Sequence, residues 1–160
     1  MKKILVFCVV LLTAQLGYSQ IFTGGSLSFN STFYGDGGGT YHNTTISPLF
    51  GFRNWGFEYG AQLNMRFRDK NFYFGAGVFG SMLLLDMDYF SVWGRASLDW
   101  TSYDWDDQIS IGLSPILQLW LSDNISLYAR LAGLTYNISY NNTFVINILS
   151  NPQLGVYVFF

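Results

Sequence analysis

From Gly25 onward the chain alternates between apolar and polar side chains at a period of two, the mark of strands with one apolar face. In "GSLSFNSTF" (25–33), Leu27, Phe29 and Phe33 oppose Ser26, Ser28, Asn30 and Thr32. In "GFEYGAQLNMRF" (56–67), Phe57, Tyr59, Ala61, Leu63, Met65 and Phe67 oppose Glu58, Gly60, Gln62, Asn64 and Arg66. "SVWGRASLDW" (91–100) sets Val92, Ala96, Leu98 and Trp100 against Ser91, Arg95, Ser97 and Asp99. "ISIGLSPILQLWL" (109–121) sets Ile109, Ile111, Leu113, Leu117, Leu119 and Leu121 against Ser110, Gly112, Ser114 and Gln118. "ISLYARLAGL" (125–134) places Leu127, Ala129 and Leu131 opposite Ser126, Tyr128 and Arg130. The closing "QLGVYVFF" (153–160) puts Leu154, Val156, Val158 and Phe160 on one face and Gln153, Gly155, Tyr157 and Phe159 on the other.

Turn-forming residues separate these runs. "FRNWG" (52–56), "LDMDY" (85–89) and "LSDNI" (121–125) are short connectors, and "RDKN" (68–71) is a tight tip. "YGDGGGTYHNT" (34–44), "TSYDWDDQ" (101–108) and "YNISYNNT" (136–143) are longer and polar. The pattern predicts strands near 24–34, 44–52, 55–67, 72–84, 90–102, 108–121, 125–137 and 144–160. "TISPLFGFRNWGFEYG" (45–60) and "GLSPILQLWLSDNISLYA" (112–129) both place Ser-Pro shortly before a turn, an echo that would relate strands 1–4 to strands 5–8.

Composition decides which face points inward. Charged residues make up 11 % of the chain, against roughly a quarter in ordinary globular proteins, and aromatic residues make up 19 %. A water-facing strand surface would carry Lys and Glu freely, yet the polar face here is mostly Ser, Asn, Gln, Gly and Thr. Such residues suit a crowded interior where hydrogen bonds close locally. The apolar runs match the roughly 9–11-residue tilted strand that crosses a bilayer, and lipid tolerates no open sheet edge. The expected fold is therefore all-β, an eight-stranded antiparallel transmembrane up-and-down β-barrel. Trp55, Phe57, Phe67, Phe72, Tyr89, Phe90, Trp100, Tyr136, Phe144 and Phe160 fall near predicted strand ends, where aromatic girdles sit at headgroup level. A soluble, secreted lipocalin-like binding barrel is the alternative, with the apolar faces meeting in a core.

The first residues read "MKKILVFCVVLLTAQLGYSQ". Lys2 and Lys3, an apolar run from Ile4 to Leu12, and small residues Gly17 and Ser19 form a secretory signal peptide over 1–19, cleaved before Gln20. Cys8 lies inside the apolar run, away from a lipoprotein cleavage position. The domain over 20–160 is then a single barrel of about 140 residues. Without Lys2 and Lys3 it carries six basic against ten acidic residues, a net charge of −4, and no cysteine. That balance disfavours nucleic acid as a partner, and no disulfide or thiolate site is possible.

The end of the chain resembles the C-terminal assembly signal of bacterial outer-membrane barrels: polar Gln153, Gly155 two residues on, apolar Val158 and terminal Phe160. It departs at Val158, where an aromatic is usual. The wider layout is similar to the small outer-membrane β-barrel proteins of Bacteroidetes-type bacteria, among the OmpX- and OmpA-like eight-stranded barrels. The matching stretches are the Gln20 start, "ISPLFGF" (46–52), "SDNISLYARLAGLTY" (122–136) and "LGVYVFF". The resemblance implies a Gram-negative outer-membrane location, contact with outer-membrane lipids, delivery by the barrel assembly machinery through the last strand, and a monomer.

Charges on the inward face are the candidate site: Glu58, Arg66, Arg95, Asp99 and Arg130. In an eight-stranded barrel they have little room and are expected to pair into a network that plugs the lumen. The expected role is then structural or surface-interacting. A narrow or gated pore for small solutes, lined by Arg66, Arg95 and Arg130, is the alternative. No enzyme, cofactor or metal is expected. "GDGGG" (35–39) lacks the Lys-Ser/Thr of a phosphate loop. His42 is the only histidine, and with Ser31 or Ser102 it shows no triad spacing. Asp104, Asp106 and Asp107 read as a solvated loop tip.

Overall fold

The computed structural model describes residues 19–33, 40–68, 71–103, 107–138 and 143–160. They form β1 (Gln20–Phe33), β2 (Thr40–Asn54), β3 (Phe57–Arg68), β4 (Asn71–Asp86), β5 (Phe90–Ser102), β6 (Asp107–Ser122), β7 (Ile125–Asn137) and β8 (Thr143–Phe159). Each strand pairs antiparallel with its chain neighbours, and β8 returns to β1, closing the barrel. The seam runs from Phe22↔Phe159 to Ser28↔Gln153, and the Phe160 N–H donates to the Ile21 carbonyl at 2.9 Å. The segment 1–18, the "GDGGG" loop and residues 104–106 of the acidic tip lie outside the described residues, and Asp107 opens β6.

Strand boundaries follow the predicted alternation with three shifts: β1 begins at Gln20 rather than 24, β2 spans Thr40–Asn54 rather than 44–52 because its ladder with β1 runs on to Phe33↔Thr40, and the β2–β3 hairpin turn moves. Trp55, predicted as the first residue of the third strand, sits in the turn instead. Trp55 and Gly56 both have positive φ, 43° and 83°, and they join the paired residues Asn54 and Phe57 as a two-residue hairpin. Such loops take primed turns because their twist matches that of the strands, and those turns demand positive φ at the central positions. Gly56 meets that demand readily, and Trp55 adopts the left-handed region beside it.

The outward face is the apolar one. Leu27, Ile46, Leu63, Val78, Leu98 and Ile111 are exposed, whereas Ser26, Ser47, Ser81, Gln118 and Ser126 are buried inside. A water-soluble barrel reverses this arrangement. All ten aromatics named from the sequence are exposed. Trp55, Phe57, Tyr89, Phe90 and Phe160 lie at the short-turn end, and Phe67, Phe72, Trp100, Tyr136 and Phe144 lie at the long-loop end.

The interior carries more apolar side chains than the mostly polar lining that alternation predicts. Near the short-turn end, Phe22, Leu49, Phe79, Trp93, Ile116, Tyr128, Tyr157 and Phe159 form a buried cluster within the barrel. Glycines on facing strands make space for these rings: a Cβ on Gly51 would lie 2.6 Å from Phe22 Cζ, and one on Gly60 2.9 Å from Phe79 Cζ. Rings fill the cross-section of a narrow barrel more completely than Ser or Asn, so apolar residues close this half on the inside as well.

Two irregularities share one level of the wall. Between Leu117↔Ala129 and Leu113↔Leu134, β7 carries one residue more than β6. Between Arg130↔Gln153 and Ala132↔Ile148, β8 carries three more than β7, a stretch that includes Pro152. An odd offset exchanges the two faces of a strand. Arg130 therefore faces inward on one side of the bulge, and Leu134 is exposed beyond it.

Candidate functional site

Register brings two predicted lumen charges together. Arg53↔Glu58, Glu58↔Ser81 and Ser81↔Arg95 are successive cross-strand pairs, so four strands contribute to one rung around the barrel. The Glu58 side chain is 1 % exposed. Its Oε1 accepts from Arg53, with Nε at 3.0 Å and a second, closer contact from Nη2. Its Oε2 lies 3.3 Å from Arg95 Nη2. Arg95 also donates through Nε to Ser81 Oγ at 2.9 Å and through Nη2 to the Tyr157 hydroxyl at 2.6 Å. Arg53 Nη2 donates to Gln118 Oε1 at 2.8 Å, and Gln118 Nε2 continues to Ser126 Oγ at 2.5 Å.

Aromatic rings close around these cations. The Arg53 guanidinium sits 4.2 Å from the Phe159 ring, 4.7 Å from Trp93 and 4.8 Å from Trp120. Arg95 lies 4.2 Å from the Phe79 ring. Tyr157 stacks on Tyr128 at 4.2 Å and packs on Phe22 at 5.1 Å. A planar, weakly hydrated guanidinium is suited to such a position, because it keeps its in-plane hydrogen bonds while its faces meet π-systems.

The remaining predicted charges stand apart, toward the long-loop end. Arg66, Asp99 and Arg130 line a polar cavity of about 280 Å³. Asp99 accepts from Gln62 Nε2 at 2.7 Å and Asn64 Nδ2 at 3.2 Å. Gln62 reaches it across Gly77, whose place between them on β4 has no side chain; a Cβ there would strike the carboxylate. Arg66 Nη1 donates to the Tyr103 hydroxyl at 2.6 Å. The five charges thus form two groups: Glu58 and Arg95 inside the aromatic layer, and Arg66, Asp99 and Arg130 around the cavity.

The four residues of the C-terminal motif have separate surroundings. Gln153 pairs with Ser28 and Arg130 and lines the cavity. Gly155 lies under the Tyr128 ring and the Gly25 carbonyl, where a Cβ would overlap both. Val158 pairs with Thr23 and Ile125, and Phe160 is exposed in the short-turn girdle. His42 is exposed and pairs with Ser31 in the β1–β2 ladder, whereas Ser102 lies at the end of β5. No group of His, Cys, Asp or Glu that could hold a metal occurs among the described residues.

Arg53, Gln118 and Tyr157 join the network in addition to the charges predicted from the sequence. Arg53 belongs to the predicted connector "FRNWG" but lies in β2, where the period running through Ser47, Leu49 and Gly51 continues to it. Tyr157 was visible on the face opposite Val156. Nothing in one strand indicated that its hydroxyl meets an arginine 62 positions away.

No family model matches the chain, and no curated protein matches its sequence. Solved structures do match. Neisserial surface protein A (NspA) is 16 % identical, with a TM-score of 0.56 over 89 % of this chain and 97 % of its own. A de novo designed transmembrane β-barrel is 8 % identical, with a TM-score of 0.54 over 89 % of this chain and 97 % of that one. The Yersinia pestis outer-membrane protein Ail aligns at 11 % identity and a TM-score of 0.47, over 89 % of this chain and 99 % of its own. At such identities likeness speaks for architecture, and the first two agree with the outward apolar belt and the closed strand order: the chain has the fold of an eight-stranded antiparallel transmembrane β-barrel.

Proposed function

We propose that this chain is an outer-membrane β-barrel of a Gram-negative bacterium, of the small kind found in Bacteroidetes-type bacteria, with a structural or surface-interaction role and a lumen closed by side chains. One observation carries this reading: the Arg53–Glu58–Arg95 cluster, with its carboxylate 1 % exposed, packs among aromatic rings near the short-turn end. Breaking a buried ion pair costs several kcal/mol, so thermal motion opens such a layer rarely. The protein is a monomer without catalytic activity or cofactor. Its partners are outer-membrane lipids along the apolar belt and the barrel assembly machinery at β8. The short turns face the periplasm, and the longer loops face outside. Residues 1–19 act as the cleaved secretory signal.

Two measurements test the reading together. Detergent-extracted envelope is run on a gel with and without boiling, and purified protein is placed in a planar lipid bilayer. A heat-dependent mobility shift without discrete conductance steps is expected. Steady channels in the unsubstituted protein would replace the closed lumen with the pore, and an unshifted band from the soluble fraction would remove the membrane assignment.

A further inference from the structure

The cavity near the long-loop end has an unequal charge inventory. Its one described carboxylate, Asp99, already accepts from two amides, Gln62 and Asn64. Its two guanidinium groups have no carboxylate within ion-pairing distance among the described residues. Arg66 donates to a neutral phenol, Tyr103. Arg130 lines the same cavity, beside its cross-strand partner Gln153. A half-buried guanidinium that faces a cavity without a carboxylate partner is poised for an oxyanion, whose paired oxygens match its fork.

We propose that the upper lumen is a binding site for a small oxyanion, a phosphate or carboxylate group, with Arg130 and Arg66 as its cationic walls. Gln108, Ser110 and Thr101 add neutral donors around the same space. A cavity of about 280 Å³ admits one small solute or one headgroup, near the lower limit of ordinary ligand pockets.

The same oxyanion chemistry has two sources. A free solute enters from the long-loop end. A lipid headgroup enters through the wall, because Leu113, Ser114, Ala132, Gly133 and Leu134 line both this cavity and an apolar groove on the outer surface. These residues lie where the β6–β7 ladder is interrupted, and small residues Gly80, Gly94 and Ala96 keep the groove open.

The test uses the full barrel in nanodiscs. In one arm, inorganic phosphate and glucose 6-phosphate are titrated calorimetrically into barrels held in zwitterionic lipid. In the other, retention of phosphatidic acid over phosphatidylcholine is read by native mass spectrometry. Saturable binding in either arm, weakened at least tenfold by Arg130→Gln and by Arg66→Gln, is the expected result. A saturable lipid signal that Gly94→Leu abolishes by filling the groove assigns the source to the membrane; saturable binding confined to the soluble arm and unchanged in Gly94→Leu assigns it to the exterior. Each variant is first shown to keep its heat-dependent gel shift. Arg130→Lys separates charge from fork geometry and provides a second readout if Arg130→Gln does not fold. No saturable binding in either arm, or equal binding by folded Arg130→Gln and Arg66→Gln, overturns the proposal.

Discussion

Glu58 and Arg95 stand on one rung of the barrel with Ser81 between them, and their side chains meet at 3.3 Å in the interior. Arg53 approaches the same carboxylate from the opposite strand of the β2–β3 hairpin, so one buried anion serves a buried cation, Arg95, and a half-buried one, Arg53. The rings of Phe79, Trp93, Trp120 and Phe159 compensate the guanidinium groups for part of their lost hydration. The arrangement ties β2, β3 and β5 together at the level where the interior is most tightly filled.

Removing the shared anion is expected to destabilise the barrel strongly. Glu58→Ala leaves the buried Arg95 and the half-buried Arg53 without their carboxylate, a loss of about 3–5 kcal/mol. Urea unfolding in detergent micelles, followed by tryptophan fluorescence, measures it. A loss below about 1 kcal/mol, the usual size for an exposed pair, would show that the cluster is hydrated rather than sealed.

Gly155 is expected to tolerate no larger residue. A Cβ there overlaps the Gly25 carbonyl across the closing seam and the Tyr128 ring that stacks on Tyr157. Gly155→Val should lower stability by about 1–3 kcal/mol through overpacking. The companion change Tyr128→Ala should recover part of that loss in a double-mutant cycle. Purely additive effects would mean that the seam, not the ring, sets the constraint.

The lipid-facing side has its own signature. Leu98 is exposed on the outer surface, paired with Val78 and Ile111. Leu98→Arg should cost about 2–4 kcal/mol of folding free energy into phospholipid vesicles, the range for a lipid-facing arginine near the midplane. The same substitution on a water-facing strand stays within about 0.5 kcal/mol. Folding yield into vesicles against urea concentration distinguishes the two.

Conductance should respond to the inner layer and not to the cavity. Arg95→Ala combined with Tyr157→Ala removes two side chains that meet at 2.6 Å in the centre of the closed half, and single-channel steps are expected to appear. Arg66→Ala should leave the bilayer silent, because Arg66 lies on the other side of that layer, at the cavity. Steps from Arg66→Ala alone would place the barrier at the cavity.

Much of the fold was legible because period two is a local property. Ser26 beside Leu27, or Asp99 beside Leu98, states which way each residue points once one face is known to be apolar. The scarcity of charge then decided which face was outside. Trp55 escaped this logic because a hairpin turn preserves the look of alternation while demanding a left-handed backbone. The face exchange in β7 escaped it too, since the extra residue is defined only against its partners Leu113 and Leu117.

The sequence by itself determined eight strands, the faces of their regular stretches and the aromatic ends, since each depends on neighbours one or two positions away. Only the tertiary structure decided which inward residues share a rung. The ladders from β2 to β5 set the register that joins Arg53, Glu58 and Arg95, while Arg66, Asp99 and Arg130 fall at a separate cavity. The physical reason is that strand pairing fixes height along the barrel axis. Side chains 37 or 62 residues apart in the chain become hydrogen-bond partners only when every intervening ladder is in place.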